Sequence, residues 1–424
     1  MVNAPDPRPP TVLPRTVLVL NEVFYSHEGR YYCDCDSHWW RFAGRLAEYS
    51  GDLTLYVPLA QTAPRGAAMA VSPGRMKIQG RFFYKRIEEY YARIIGRRRR
   101  MHRQAARLFA DADLVLLRVP SPDALPLARV AWRLGKPTVL FVGGDVVSGT
   151  AYAEARGLKA AVARWMARRI RQAELRIAAR SLLVAVWGNG LLPQFSRVNP
   201  QTVVAASPHI SVEEIWRRPD TAQGDTITLV RVGSCLRTKG MEYLLQAVAA
   251  LRHRGRRVRL EVIGAPDDPA YYQELCDLSR RLGVDDCVTW RGYVKFGPEL
   301  FDFYRAADIH VVSSISEGVP RCIAEGRAFG LPTVATSVGG IPSVVHHDQD
   351  GILVDPRDPA ALAQAVERLI DDGELRRRII REGYRAAETE TAEFQALRLA
   401  TLMGKALRGE PLGRAATDLH ILEG

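Results

Sequence analysis

Short apolar runs with strand character alternate with helical patterns along almost the whole 424-residue chain. Such alternation is the signature of βαβ units, in which a helix crosses over between parallel strands. The runs are residues 16–20, 52–57, 112–117, 137–142 and 181–186 in the first half, and 226–232, 258–264, 287–292, 309–314, 332–336 and 351–354 in the second. They predict an α/β protein with two sheet-containing domains.

The chain is longer than the size at which a single hydrophobic core usually stops growing. Turn-forming and charged residues gather at 207–224, directly before the strand pattern resumes, and this favours a boundary there. We therefore expect an N-terminal domain over 1–210, a C-terminal domain over 211–390 and a final helical stretch over 391–424.

The composition, with 47% hydrophobic and 25% charged residues, is typical of a soluble globular protein. No apolar run is long enough to span a bilayer, and the N-terminus lacks the pattern of a signal peptide. The six cysteines include no CxxC pair. These features favour reduced cysteines and a cytoplasmic protein.

The formal net charge of +12 indicates an anionic partner. Residues 81–110 hold ten Lys and Arg against Glu88 and Glu89, and residues 156–180 hold eight against Glu174. A helix over the second segment brings six apolar residues near one side: Leu158, Val162, Trp165, Met166, Ala173 and Ile177. Two interpretations stay open, namely a helix packed on the core with a solvated basic face, or a helix that rests on an anionic bilayer with Trp165 at the interface.

Ligands of open α/β sheets bind beyond the carboxyl ends of the strands, so the loops that follow strands are where chemistry is expected. The loop after 226–232 runs from Gly233 and Ser234 through Arg237 and Lys239 to Gly240, directly before a helix. A glycine turn, two cations and a helix start predict an anion cradle suited to phosphate. The alternative is an ordinary βα turn whose cations face solvent.

The loop after 309–314 leads to two carboxylates eight residues apart, Glu317 and Glu325. Pro320 suits the first turn of a helix and Gly318 permits a close approach, which places Glu325 inside that helix and Glu317 in the loop before it. Paired carboxylates accept hydrogen bonds from the hydroxyls of a ribose or hexose. The alternative is a capping Glu317 and a salt-bridged Glu325.

Two further loops complete the candidate site. Tyr293 and Val294 follow 287–292, where an aromatic face and backbone groups could hold a nucleobase. Gly339 and Gly340 follow 332–336 and precede a helix start, so their backbone amides are expected to meet a phosphate.

The succession of G…KG, EGVPRCIAE, GLPTVATSVGGIP and DGILVDPRDPAALAQAV over residues 226–367 resembles the C-terminal domain of glycosyltransferase family 4. Members of that family are retaining GT-B enzymes that use nucleotide diphosphate sugars. The resemblance implies two Rossmann-like, doubly wound domains facing across a cleft, with the acceptor bound by 1–210, the donor by 211–390, and the last helix packed back on the N-terminal domain. It implies neither a metal nor another cofactor.

The same resemblance implies roles for single residues. Glu325 would bind the donor ribose, Glu317 the transferred sugar and Lys239 the diphosphate. The backbone amides around four residues would share in binding the diphosphate: Gly318, Val319, Gly339 and Gly340.

The chain departs from the family pattern at three places, one of which is Pro320 in place of the glycine of the commoner EGFG form. Ser234 stands where the family often has Arg, which makes Arg237 or Arg231 the candidate second cation. Asp145 stands where the N-terminal domain often supplies a His, and it is the substitute candidate for a contact near the reacting sugar, or only a helix N-cap. The cluster of Cys33, Asp34, Cys35, Asp36 and His38 is assigned to an acceptor-side loop rather than to a metal site, because alternating residues of an extended segment diverge.

The sequence therefore predicts a hexosyltransferase that moves a sugar from a UDP- or GDP-sugar to a glycan or lipid-linked acceptor at the cytoplasmic membrane face. Peripheral contact with an anionic membrane is expected, and a nucleic-acid partner is not. Two alternatives stay open: a GT-B scaffold without turnover, suggested by Ser234 and the missing histidine, and a basic nucleic-acid binder, whose binding would depend strongly on salt. An NAD-dependent oxidoreductase is disfavoured because no strand is followed by G-x-G-x-x-G.

Overall fold

A computed structural model describes residues 12–33, 39–64, 68–81, 87–144, 157–206 and 209–413. The chain divides into two compact units. Unit 1 comprises Met1–His209 together with Ala392–Gly424, and unit 2 comprises Ile210–Thr391.

Unit 1 contains a ten-stranded sheet in the order β10-β9-β8-β7-β1-β4-β2-β3-β5, with β6 paired to β4. Its strands are β1 (Leu13–Val19), β2 (Phe24–His27), β3 (Arg30–Cys33), β4 (Ser50–Ala60), β5 (Met69–Val71), β6 (Met76–Arg81), β7 (Leu114–Val119), β8 (Thr138–Val142), β9 (Leu183–Trp187) and β10 (Thr202–Ala205). Pairing is parallel from β10 across to β4. Only β3 pairs antiparallel, with β2 and β5, among the strands described in this unit.

The helices of unit 1 cover both faces of that sheet. They are α1 (Trp39–Glu48), α2 (Ile87–Ala110), α3 (Ala124–Arg133), α4 (Gly157–Ala178), α5 (Leu192–Ser196) and α12 (Ala392–Leu407). Successive strand residues point to opposite faces. Leu116 accordingly packs in one cluster with α1 and α12, whereas Val115 and Leu117 pack in another with α2, α3 and α4.

Helix α4 packs only in part with the side that its apolar periodicity predicts. Its buried residues include Ala167, Ile177 and Ala178, whereas Val162 and Trp165 are exposed. The interpretation that packs this whole side on the core is therefore wrong for Val162 and Trp165, although Ile177 of the same side is buried.

Unit 2 contains a six-stranded, fully parallel sheet in the order β13-β12-β11-β14-β15-β16. Its strands are β11 (Ile227–Val232), β12 (Val258–Ile263), β13 (Val288–Gly292), β14 (Ile309–Val312), β15 (Thr333–Thr336) and β16 (Ile352–Val354). Its helices are α6 (Met241–His253), α7 (Pro269–Arg281), α8 (Pro298–Ala306), α9 (Arg321–Ala328), α10 (Pro359–Asp371) and α11 (Gly373–Thr389). The order of strands reverses between β11 and β14, the kind of switch point beside which ligands bind in open α/β sheets.

Two findings concern the chain as a whole. Within the described residues, no helix is long and apolar enough to cross a membrane. The described cysteines, Cys33, Cys235, Cys276, Cys287 and Cys322, are free thiols.

Candidate functional site

The loops after β11 and β14 are joined by hydrogen bonds at the carboxyl edge of the unit 2 sheet. The amides of Ile315 and Ser316 donate to the carbonyl oxygen of Thr238, at 2.8 and 3.2 Å. The Ser313 hydroxyl donates to the carbonyl oxygen of Lys239 at 3.0 Å. The two loops that the sequence singles out therefore form one surface.

The loop after β15 closes onto this surface through two glycines. The Gly340 amide donates to the Gly318 carbonyl oxygen at 2.9 Å. Gly339 has a φ of +56°, and a Cβ built there would lie 1.7 Å from the Glu317 carbonyl oxygen. A side chain at position 339 is excluded both by backbone conformation and by space.

An ion pair lies at the centre of the joined loops. The Lys239 ammonium contacts the Glu317 carboxylate, and the same carboxylate oxygen accepts a hydrogen bond from the Ser314 hydroxyl at 3.2 Å. Both side chains of the pair keep some exposure, at 21% and 16%. A lysine ammonium carries three donors, so Lys239 keeps donor capacity for an anionic ligand.

Gly240 fixes the position of Lys239. It has a φ of +60°, and a Cβ there would lie 2.2 Å from the carbonyl oxygen of Ser313. The chain therefore turns into α6 directly against the loop after β14, which brings the preceding lysine beside Glu317.

Glu325 accepts a hydrogen bond from a tyrosine that the sequence motifs do not indicate. Glu325 is only 5% exposed, and its Oε2 accepts a hydrogen bond from the Tyr304 hydroxyl at 2.6 Å. The Tyr304 ring stacks on Phe329 with centroids 5.6 Å apart. Burial, and secondly the nearby Glu325 carboxylate, raise the pKa of Tyr304 well above its usual value, so Tyr304 remains a hydrogen-bond donor.

Cys322 lies in the first turn of α9, between the two carboxylates in the sequence. Burial raises the pKa of the Cys322 thiol to about 12, and both Glu325 and Glu317 contribute to the increase. Cys322 therefore stays a neutral thiol at neutral pH.

Arg231 contacts the loop after β11 from inside the protein. Its guanidinium donates to the carbonyl oxygens of Gly233 and Ser234, the latter at 3.0 Å, and Arg231 is buried. Burial lowers the pKa of this arginine. Gly264 closes the loop on its other side, because a Cβ there would lie 1.9 Å from the Gly233 carbonyl oxygen.

Arg237 points to a neighbouring helix. Its guanidinium lies 4.6 Å from the centroid of the Tyr271 ring and 2.6 Å from the Glu274 carboxylate, both on α7. Of the two cations predicted for a phosphate, Lys239 therefore lies beside Glu317, whereas the side chain of Arg237 packs against α7.

The remaining predicted residues are placed as follows. Tyr293 is exposed after β13, while Val294 packs on a cluster formed with α8. Val319 is partly buried beside Ile341, and a Cβ on Gly340 would lie 2.8 Å from its side chain. Asp145 lies outside the described residues, as does the Cys33–His38 cluster apart from Cys33.

A polar cluster at the carboxyl edge of the unit 1 sheet also escaped sequence reasoning. Arg118, at the end of β7, donates to the Asn21 side-chain oxygen at 2.6 Å and lies 3.6 Å from Glu22. Its guanidinium stacks over Trp39, 4.8 Å from the ring centroid. No motif marks these residues, which come from three separate parts of the chain.

Comparison with known families gives a match over the part of unit 2 that contains these loops. Residues 226–372 match the family Glycosyl transferases group 1. D-inositol 3-phosphate glycosyltransferase of Corynebacterium efficiens is 35% identical over 182 residues, which cover 42% of this chain and 43% of that protein. An uncharacterised glycosyltransferase of Methanocaldococcus jannaschii is 33% identical over 39% of this chain and 41% of its own length. The match thus spans less than half the length of these curated relatives.

Solved structures resemble the chain over nearly its full length. Anabaena HepE in complex with UDP has a TM-score of 0.67 at 15% identity and covers 93% of this chain and 100% of its own. Sucrose-phosphate synthase from Thermosynechococcus elongatus has a TM-score of 0.68 at 19% identity and covers 94% and 100%. At these identities the likeness concerns the fold, and it confirms the predicted α/β class with two Rossmann-like domains. Residues 226–372 thus match the Glycosyl transferases group 1 family within a chain of GT-B fold.

Proposed function

We propose that this protein is a retaining hexosyltransferase that uses a UDP- or GDP-sugar and acts on a glycan or lipid-linked acceptor at the cytoplasmic face of a membrane. The observation that carries the proposal is the Lys239–Glu317 ion pair on loops that hydrogen bonds and glycines hold together. It provides a cation for a diphosphate and a carboxylate for sugar hydroxyls side by side.

The donor diphosphate would bind Lys239 and the amides around Gly318, Val319, Gly339 and Gly340. Charge builds up on the departing nucleotide diphosphate during transfer, and fixed cations and amides stabilise that charge without reorganising. Arg237 would be the second cation, and it would have to exchange Glu274 for the phosphate. Gly233 and Ser234, which Arg231 holds in place, complete the cradle.

Each of the two carboxylates would bind a different sugar of the donor. Glu325 would accept hydrogen bonds from the ribose hydroxyls while its Oε2 also accepts one from Tyr304. Glu317 would contact the transferred hexose. The exposed Tyr293 ring, with Val294, would adjoin the base. HepE is known with UDP and with UDP-glucose, which makes UDP-glucose the first donor to test.

Acceptor binding is proposed for unit 1. The cluster of Arg118, Asn21, Glu22 and Trp39 combines hydrogen-bonding groups with an indole ring, a combination suited to a sugar or to a phosphate on the acceptor. Asp145 stays a proposed contact near the reacting sugar.

The test is a transfer assay with UDP-glucose and GDP-mannose on glycan and polyprenyl-diphosphate-linked acceptors, with the product examined by proton NMR. A retaining enzyme yields an α-linked product from an α-linked donor. A β-linked product would contradict retention. Donor binding with neither transfer to any acceptor nor slow hydrolysis of the donor would favour the scaffold alternative.

A further inference from the structure

Three helices of unit 1 cover one side of its sheet. Residues of α2, α3 and α4 belong to the same hydrophobic cluster as β1, β7 and β8, and α3 packs against both α2 and α4. The exposed side chains of the three helices therefore lie on a common outer surface, which we call the helical surface.

The described charged side chains that are exposed on the helical surface are all arginines. These arginines are Arg99, Arg100, Arg103, Arg107, Arg129, Arg133, Arg164, Arg168, Arg169 and Arg176. Among the described side chains of the three helices the one carboxylate is Glu174, which is buried and lies 3.4 Å from Arg171. No described carboxylate on these helices therefore offsets the arginines at the surface.

Two large apolar side chains lie among these arginines. Trp165 is 63% exposed and Val162 is 48% exposed. Positions 161, 165, 168, 172 and 176 follow helical spacing, so Trp165 shares its face with Arg168 and Arg176. The Arg169 guanidinium lies 5.8 Å from the Trp165 ring.

We propose that the helical surface binds an anionic lipid bilayer, with Trp165 and Val162 entering the headgroup region and the surrounding arginines contacting lipid phosphates. Basic helices with an exposed tryptophan bind where an apolar phase and negative charge occur together. A nucleic acid would satisfy the arginines but offers no apolar phase to Val162. The surface thus matches a membrane in both charge and polarity.

This inference specifies the membrane contact within the proposed function, and it rests on that function only for the biological setting. Binding to vesicles needs neither sugar donor nor acceptor. Failure of vesicle binding and failure of glycosyl transfer are therefore separate results.

The test is co-sedimentation of the full chain with vesicles of phosphatidylcholine alone or with about 30 mol% phosphatidylglycerol. The wild type is expected to bind only the anionic vesicles and to lose most binding in high salt. Trp165→Ala should lower the partition coefficient roughly fivefold, and the double variant Arg168→Glu with Arg169→Glu more than tenfold. Circular dichroism verifies that both variants are folded.

A matched control changes the same charge elsewhere. Arg281 and Arg381 are exposed on α7 and α11 of unit 2, and their double change to Glu should alter vesicle binding less than about twofold. Equal losses in the two double variants would overturn the proposal, because they would reflect net charge alone. Wild-type binding to a duplex oligonucleotide with none to anionic vesicles would also overturn it, in favour of a nucleic-acid surface.

Discussion

At the scale of single residues, Lys239 is the cation on which the proposed donor site depends most. Replacing Lys239 by Met keeps the stem but removes the charge beside Glu317. A hydrogen bond to a charged group contributes about 1.5–3 kcal/mol, so the Kd for the nucleotide diphosphate should rise roughly 10- to 100-fold. Arg237→Met is the matched comparison, and because Arg237 already pairs with Glu274, we expect a smaller increase. Calorimetry that gives the larger effect for Arg237 would contradict this assignment.

Tyr304 is expected to act through Glu325. Tyr304→Phe keeps the ring stacked on Phe329 but leaves a buried carboxylate one hydrogen bond short. We expect a loss of about 1–3 kcal/mol in the free energy of unfolding, together with a several-fold rise in nucleotide Kd.

Tyr384→Phe separates these two effects. The Tyr384 hydroxyl donates to the Trp216 carbonyl oxygen at 3.0 Å and accepts from the Arg218 amide at 2.9 Å, so its removal also costs stability. The Kd of this control should stay near the wild-type value. If both variants weaken nucleotide binding equally, Tyr304 has no specific positioning role.

At the scale of elements, the surface formed by the loops after β11, β14 and β15 depends on the glycines of the loop after β15. Gly339→Ala would force a Cβ to within 1.7 Å of the Glu317 carbonyl oxygen at a φ of +56°. We expect a loss of at least about 2 kcal/mol in unfolding free energy and of nucleotide binding. Gly135→Ala is the control, since Gly135 has a φ of +67° with no atom near the added Cβ, and it should cost about 1 kcal/mol. Similar losses in the two variants would show that conformation alone matters.

Strand β14 carries a buried histidine that should make stability depend on pH. The pKa of His310 is lowered to about 4, mainly by burial; Glu325 opposes this decrease, and Arg231 and Arg327 contribute to it. Between pH 6.5 and 4 the unfolded chain binds a proton that the folded state does not, so stability falls as pH falls through this window. The effect reaches about 3 kcal/mol, and His310→Gln should flatten it. Urea unfolding at several pH values checks this, and an unchanged slope in the variant would refute it.

The strands of unit 2 are predictable from the sequence, whereas several strands of unit 1 are not. Each of the six unit 2 strands lies within one of the six strand-like runs of the second half of the sequence. By contrast, β2 and β3 are four residues each, and the turn between them uses Glu28 and Gly29 with φ of +49° and +72°. A glutamate is not the residue that such a turn usually favours, so the sequence carries no hairpin signal there.

The candidate site shows the same limit. Its glycines and carboxylates lie in short motifs that directly follow strands, and the sequence therefore indicates them. Tyr304 reaches Glu325 from 21 residues earlier through tertiary packing that no spacing encodes. Likewise, periodicity alone could not show that Ala167 and Ala178, rather than Trp165, would face the core.

At the scale of the whole molecule, the two units carry different chemistry. Unit 2 holds the joined loops with the ion pair, and unit 1 holds the arginine-rich helical surface together with the cluster around Arg118. The net charge of +12 is thus more than the binding of one anionic donor requires. The proposed function requires that the full chain binds a sugar donor, whereas vesicle binding tests the membrane contact independently.

The most direct measurement is isothermal titration calorimetry of the full chain with UDP, GDP and their sugar conjugates, repeated with Lys239→Met and Glu325→Gln. The account predicts that one nucleotide binds selectively and that both substitutions weaken its binding at least about tenfold. The absence of binding to every nucleotide, or binding that neither substitution changes, would contradict the assignment of the donor site to these loops.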